Sequence, residues 1–241
     1  MIPSDLTTFE HTTGSYPVAV LRSDRKQAAV TVHPAMCITV RLPLDATDQD
    51  AITLLSRRRA WISQQLDQFN EYRPITPSRQ YISGETHYYL GRQYRLQVLR
   101  AKAQCVRLKG AFFYVSVRDP DNRKSVRDEM QAWYADHAKV LLLRRLELYI
   151  PYIRRRGVQQ PIVRFRRMTN RWGSCSPKGT IMLNTELVKV SARCIDYVLV
   201  HELCHLLHAH HDDSFFKLME VILPDWQLRK NHLEKSGSIA V

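Results

Sequence analysis

The segment His201-Glu202-Leu203-Cys204-His205 constrains this chain more than any other. It lies in a stretch where Ile195, Val198, Leu199, Leu203, Leu206 and Leu207 recur at i+3 and i+4 spacing. That period predicts a largely buried helix, with Ser191 as its N-cap. On a helix, residues four apart stack on one face, about one turn apart. His201 and His205 are therefore presented together, as a tetrahedral Zn²⁺ requires. Burying a His-Glu-His set without a metal or polar partners is costly, so the fold must bring further groups to this helix. Glu202 follows the first candidate ligand and projects beside the metal. There a carboxylate takes the proton of a water whose pKa the metal lowers toward about 7. H-E-x-x-H on a helix is the pattern of zinc peptidases.

Zinc sites use at least three protein ligands, and the segment after His205 is crowded with candidates: His208, His210 and His211. Three ligands along one straight helix are nearly collinear and close a tetrahedron poorly, so the chain has to leave the helix first. His211, six residues past His205, allows that. His210 is its rival, and Glu220 is the third candidate, from the helix expected next. His208 reads as a residue of the surface or of the site's surroundings.

Around this core the chain carries Arg171-Trp172-Gly173-Ser174-Cys175-Ser176, Gly179-Thr180-Ile181-Met182-Leu183-Asn184, Tyr197-Val198 and Phe215-Phe216. Together with H-E-L-C-H and His211, these runs resemble the YgjP-like metallopeptidase family, which is related to the SprT-like zinc peptidases. The signature spans roughly residues 165–235. Leu21-Arg22-Ser23, Val40-Arg41-Leu42-Pro43, Trp61-Ile62, Gly84 and Leu90-Gly91-Arg92 extend the likeness over most of the chain. The resemblance implies zinc ligands at His201, His205 and His211, a general base at Glu202, and hydrolase activity. Related members often carry a polar residue such as Asn before the third ligand, where this chain has His210.

Hydrophobic residues make up 44% of the 241 residues, enough for a real core. Five cysteines cannot pair completely, and no secretory apolar run is expected at the start, where Met1-Ile2-Pro3 gives way at once to polar Ser4-Asp5. The expected setting is a reducing cytoplasm, and Cys175 and Cys204 read as buried, inert thiols. No run approaches the length of a membrane span. Lys and Arg number 36 against 23 Asp and Glu, a net charge of +13. With clusters at Arg57–Arg59, Arg144-Arg145, Arg154–Arg156 and Arg164–Arg167, this excess suggests weak, non-specific binding of nucleic acid, although no recognised motif accompanies it.

Alternating apolar residues in 17–43 predict strands around Val18, Val30 and Ile38 to Leu42. A helix follows from Asp48 to Phe69. Tyr81 to Leu99 reads as a hairpin with turns at Gly84 and Gly91, and two further strands flank Lys109-Gly110. Asp119-Pro120-Asp121-Asn122 is a strong breaker. It sets the expected boundary between a β-rich N-terminal domain with one helix, 1–120, and a zincin-like metallopeptidase domain, 121–241. Beyond it, one helix from Ser125 to Ile153 is expected, bent at Pro151. Short strands come next at Val163–Met168 and Ile181–Leu183, then the metal helix, a helix over Asp213–Leu223, and a last one over Asp225–Glu234. No sequence repeat is present. The class is α+β, with a short sheet beside the metal helix whose edge strand, expected at Gly179–Asn184, pairs with a peptide. Arg171, Trp172 and Asn184 are the candidate substrate contacts.

The leading function is a zinc-dependent peptidase acting on a protein or peptide substrate. One alternative is a metal-dependent hydrolase of a non-peptide substrate such as a nucleotide, which the absence of a G-x-x-x-x-G-K loop disfavours. The other is a non-enzymatic, zinc-stabilised nucleic-acid-binding module, which has no use for Glu202.

Overall fold

The computed structural model describes residues 8–33, 36–71, 79–169 and 171–240. The chain divides into two compact units, 1–76 and 77–241.

In the first unit, β1 (Thr8–His11), β2 (Gly14–Arg22), β3 (Ala29–His33) and β4 (Cys37–Leu42) form a sheet of order β1-β2-β4-β3. β2 and β4 run parallel, and the two outer pairs are antiparallel. Ile38, Val40 and Leu42 alternate with Cys37, Thr39 and Arg41, so the apolar set shares one face and is buried. Helices α1 (Asp48–Arg57) and α2 (Arg59–Glu71) add Ala51, Leu55, Ile62 and Leu66 to the same core. Thr47 and Asp50 close a capping box at the start of α1. The single helix expected over 48–69 is interrupted at Arg58, where neither Pro nor Gly marks the break.

The second unit repeats this strand plan. Its strands are β5 (Thr86–Tyr89), β6 (Arg92–Arg100), β7 (Cys105–Lys109) and β8 (Phe112–Val117), in the order β5-β6-β8-β7. Again the central pair is parallel and the outer pairs are antiparallel. Leu90 and Gly91 both take positive φ, 50° and 76°, as a two-residue hairpin loop of this hand requires. Their amides donate to the carbonyls of Val188 and Lys189, which holds the turn in place.

Helix α3 (Arg123–Glu147) buries Val126, Met130, Tyr134, Ala138, Leu142 and Leu146, a stripe of every fourth residue. These join Leu96, Phe113, Val115 and Val117 of the sheet in one core. Asp119–Asn122 is therefore a turn inside this unit, with Asn122 capping α3. The structural division falls at 76/77, not at the expected 120/121. Helix α3 also stops short of Ile153, and α4 (Ile150–Arg154) starts separately. Pro151 explains the split: it lacks an N–H and its ring would strike the carbonyl four residues back, yet it is tolerated in a first turn.

The chain then forms β9 (Ile162–Arg166), β10 (Gly173–Cys175) and β11 (Thr180–Asn184), in the order β10-β11-β9. The strand expected at the edge, Gly179–Asn184, is thus the central one: β11 pairs with β9 in parallel and with β10 antiparallel. A 3₁₀ segment, Thr185–Lys189, leads to α5 (Ala192–Cys204), then α6 (Asp213–Ile222) and α7 (Trp226–Ala240). Ser191 caps α5 as expected. Buried Asp196 on α5 accepts both Nε and Nη2 of Arg145 at 2.7 Å, and Nη1 of Arg229 at 3.2 Å, tying α3, α5 and α7 together. The class is α+β, sheets first and helices after. Among the described residues no helix is long and apolar enough to cross a membrane.

Candidate metal centre

Helix α5 is buried along most of its length and brings His201 and Glu202 to its C-terminal turn. His205 is the C-cap, so the helix ends at the second histidine. The chain turns through 206–211, and Asp212 caps α6 by accepting from the Phe215 amide at 2.9 Å. His211 is thereby held one residue before a helix start. Its Nε2 stands 3.1 Å from Nε2 of His201, which in turn is 3.2 Å from Nε2 of His205. Nitrogens bound about 2.0–2.1 Å from one ion at tetrahedral angles stand about 3.3 Å apart. The three rings are thus set for a single ion. Among the described residues no other such group of His, Cys, Asp and Glu converges. Neither His210 nor Glu220, the other candidates for third ligand, belongs to it; both are exposed.

Nδ1 of His205 lies 3.1 Å from the carbonyl of His208. A carbonyl only accepts, so Nδ1 carries the proton and Nε2 keeps its lone pair for the centre. His208 serves the site through its backbone. Burial, then the neighbouring His205 and His211, push the His201 pKa down to about 3, which keeps the ring in its neutral, ligating form. Burial also lowers that of His211. Beneath the rings, fully buried Phe215 packs its ring 5.1, 4.8 and 4.8 Å from those of His201, His205 and His211. Sequence reasoning placed Phe215 in a motif without giving it this part.

Glu202 is buried, and among the described residues its Oε2 has no hydrogen-bond partner. Burial raises its pKa to about 7, against a smaller opposing effect of Arg171. An orphaned carboxylate oxygen beside three convergent imidazoles is the arrangement expected if a metal and its water complete the site. A cavity of about 380 Å³ opens over it, lined by His201, Glu202 and His205 on one side and by β10 with Ser176 and Pro177 on the other. In zinc sites generally, three protein ligands with an open position mark a catalytic site, and a fourth closes a structural one.

β10 matters here because β11 covers only one of its edges. The Trp172 carbonyl and the Ser176 amide bond to the β11 side, at Asn184 and Thr180. By alternation, Gly173 and Cys175 turn their own N–H and C=O groups away from β11. Gly173 is also in close contact with the carboxylate: a Cβ there would meet Glu202 Oε1 at 2.6 Å. The missing side chain of Gly173 leaves room for Glu202.

None of the three expected substrate contacts lines the cavity. Asn184 is buried, and its amide is engaged within the chain. Its Nδ2 donates to the carbonyls of Met168 and Arg171, and its Oδ1 accepts from the amides of Met168 and Glu186. It fixes the loop before β10. Trp172 packs against the core. Arg171 is exposed and reaches the site through its charge on Glu202. Cys204 is buried with its thiol pushed up to about 12 by burial. Cys175 lines the cavity, and burial followed by Glu202 pushes it up to about 11, so both thiols stay protonated.

A family model for the YgjP-like metallopeptidase domain matches residues 26–236. Among solved structures, the crystal structure of the metallopeptidase zymogen of Pyrococcus abyssi abylysin is similar at 27% identity, covering 37% of this chain and 89% of that one, with a TM-score of 0.34. A search of curated proteins finds no match.

Proposed function

The chain belongs to the YgjP-like metallopeptidase family, and from that premise we propose that it is a zinc-dependent peptidase in which His201, His205 and His211 hold the metal and Glu202 is the general base. The observation that carries the reading is the orphaned Glu202 Oε2 beside three convergent imidazole nitrogens at an open cavity. Bound there, zinc supplies Lewis acidity, polarising a carbonyl and acidifying water. Glu202 takes a proton at Oε2 from the attacking water and passes it to the departing amine. The outward backbone groups of Gly173 and Cys175 bind an extended peptide as an added strand, which lays its scissile carbonyl over the cavity. The substrate is a protein or peptide.

The test pairs metal analysis with an unbiased peptide-library screen on wild type and Glu202→Gln. The amide keeps size and fold, so metal content and melting temperature should hold. It cannot accept the proton, so kcat should drop about 10²–10⁴-fold. Turnover of a verified substrate at the wild-type rate would sink the mechanism.

A further inference from the structure

The β5–β8 sheet has two unlike faces. Inward, Leu96, Phe113, Val115 and Val117 enter the core with α3. Outward positions follow from the alternation of β8, where Phe112, Tyr114 and Ser116 are partly exposed between buried neighbours. The register extends this face across the sheet. Phe112 stands between Arg95 of β6 and Lys109 of β7, and Tyr114 between Gln97 and Arg107. Arg95, Arg107 and Lys109 are exposed. On β5, Tyr88 shares the face, with its OH accepting from Gln93 Nε2 at 3.0 Å and the Arg79 guanidinium 5.8 Å from its ring centre. No Asp or Glu occupies an outward position on these four strands. The rings of Phe112 and Tyr114 lie side by side, 5.9 Å between centroids, and neither belongs to a core cluster.

We propose that this outer face, centred on Phe112 and Tyr114 and flanked by Arg95, Arg107 and Lys109, binds single-stranded nucleic acid. Partly exposed rings give bases a surface to stack on, and cations beside each ring take the phosphates. The spacing selects for single strands. Bases in a duplex are stacked at about 3.4 Å with their faces covered, whereas rings 5.9 Å apart need bases that are already parted. Sequence preference is slight, because stacking accepts any base. The charge excess also becomes specific to a place: the arginine runs singled out in the sequence lie elsewhere, and this face combines its cations with rings. The face includes none of the residues of the metal centre, so His201→Ala should bind as wild type does.

The experiment is fluorescence anisotropy with fluorescein-labelled oligo-dT and oligo-U of fifteen nucleotides, with a blunt duplex as control. Both single strands should bind at about 50 mM salt and weaken steeply by about 200 mM, the duplex binding less well. The Phe112→Thr/Tyr114→Thr pair keeps strand-forming residues and should lose roughly tenfold or more in affinity with an unchanged salt slope. Arg95→Gln, Arg107→Gln and Lys109→Gln should each cut that slope by about 0.7. Tighter binding of either sugar supports the proposal and identifies the nucleic acid. Photo-crosslinking of 5-iodouracil oligonucleotide to wild type guards against misfolded variants, and the adduct should map to the peptide holding Phe112 and Tyr114. The proposal is overturned by no binding at low salt, by crosslinks only outside 86–117, or by polyglutamate competing as well as oligo-dT at equal charge.

Discussion

Replacing Gly173 by alanine tests the site at its tightest contact. The added Cβ would lie 2.6 Å from Oε1, 2.8 Å from Cγ and 2.9 Å from Cδ of Glu202, where ordinary contact begins at 3.4 Å. The φ of Gly173 is not positive, so alanine fits the backbone and the whole effect falls on Glu202. Glu202 is buried on a buried helix and has little room to turn aside. Its carboxylate must retreat by about 0.8 Å, judged from the same contacts. Displacing a catalytic group by about 1 Å can cost about 10²-fold in rate, or about 2.7 kcal/mol of barrier. The expected result is a kcat lowered about 10²-fold with metal content unchanged, since the three atoms nearest the new methyl all belong to Glu202. In the Glu202→Gln background the same change should cost little more, because the base it displaces is already gone. A Gly173→Ala enzyme with wild-type kcat would refute the argument, and so would a loss that simply multiplies that of Glu202→Gln.

The metal and the acid limb of stability give two further outcomes. His211→Ala should lose most bound zinc by elemental analysis after dialysis, whereas His210→Ala should keep it; the reverse pattern would move the third ligand by one residue. Burial holds the His87 pKa down at about 4, against the pull of Glu85, whose Oε2 is 3.0 Å from its Nε2, while Arg79 and Lys189 push the same way as burial. A free histidine titrates near 6.5, so on acidification the unfolded chain takes up this proton first. Stability contributed by neutral His87 is complete above about pH 6.5 and is lost as pH falls toward about 4. By pH 5 the loss is about 2 kcal/mol. Urea unfolding of the metal-loaded protein should show this decline in wild type and a shallower one in His87→Gln; parallel profiles would assign the acid limb elsewhere.

How much of this was legible in the sequence depends on the range over which each feature is determined. The spacing of His201 and His205 is a property of one helix, and Ser191 caps that helix locally. His211 was within reach because the loop to it is short and Asp212 starts α6. Neighbours in a sheet are set by distant chain. Alternation predicts a strand at 180–184, but not that β9 and β10 flank it. β10 has three residues, too few to show a period, so its place beside Glu202 left no trace except a glycine. Asn184 misled for a related reason: a polar residue in a motif reads as a contact for substrate, and only the fold shows its amide holding the loop. Asp119–Asn122 misled because a tight turn and a domain linker use the same residues.

The repeated strand plan extends that argument. β1-β2-β4-β3 and β5-β6-β8-β7 share order and pairing sense. The sequences share only alternation, which specifies a half-buried strand and leaves the outward residues free. The helices after each sheet then decide its use. After β4 come α1 and α2, which complete a small core. After β8 comes α3, whose stripe of every fourth residue covers the sheet and also meets Leu187, Val188 and Leu199. Through Arg145 and Asp196 the same helix is clamped to α5, two residues paired in a bidentate contact. The second sheet therefore serves as the base on which the helix carrying His201 and Glu202 is fixed. Its inner face has to be apolar for that purpose, whereas Phe112, Tyr114, Arg107 and Lys109 stand on its outer face and, among the described residues, belong to no core cluster.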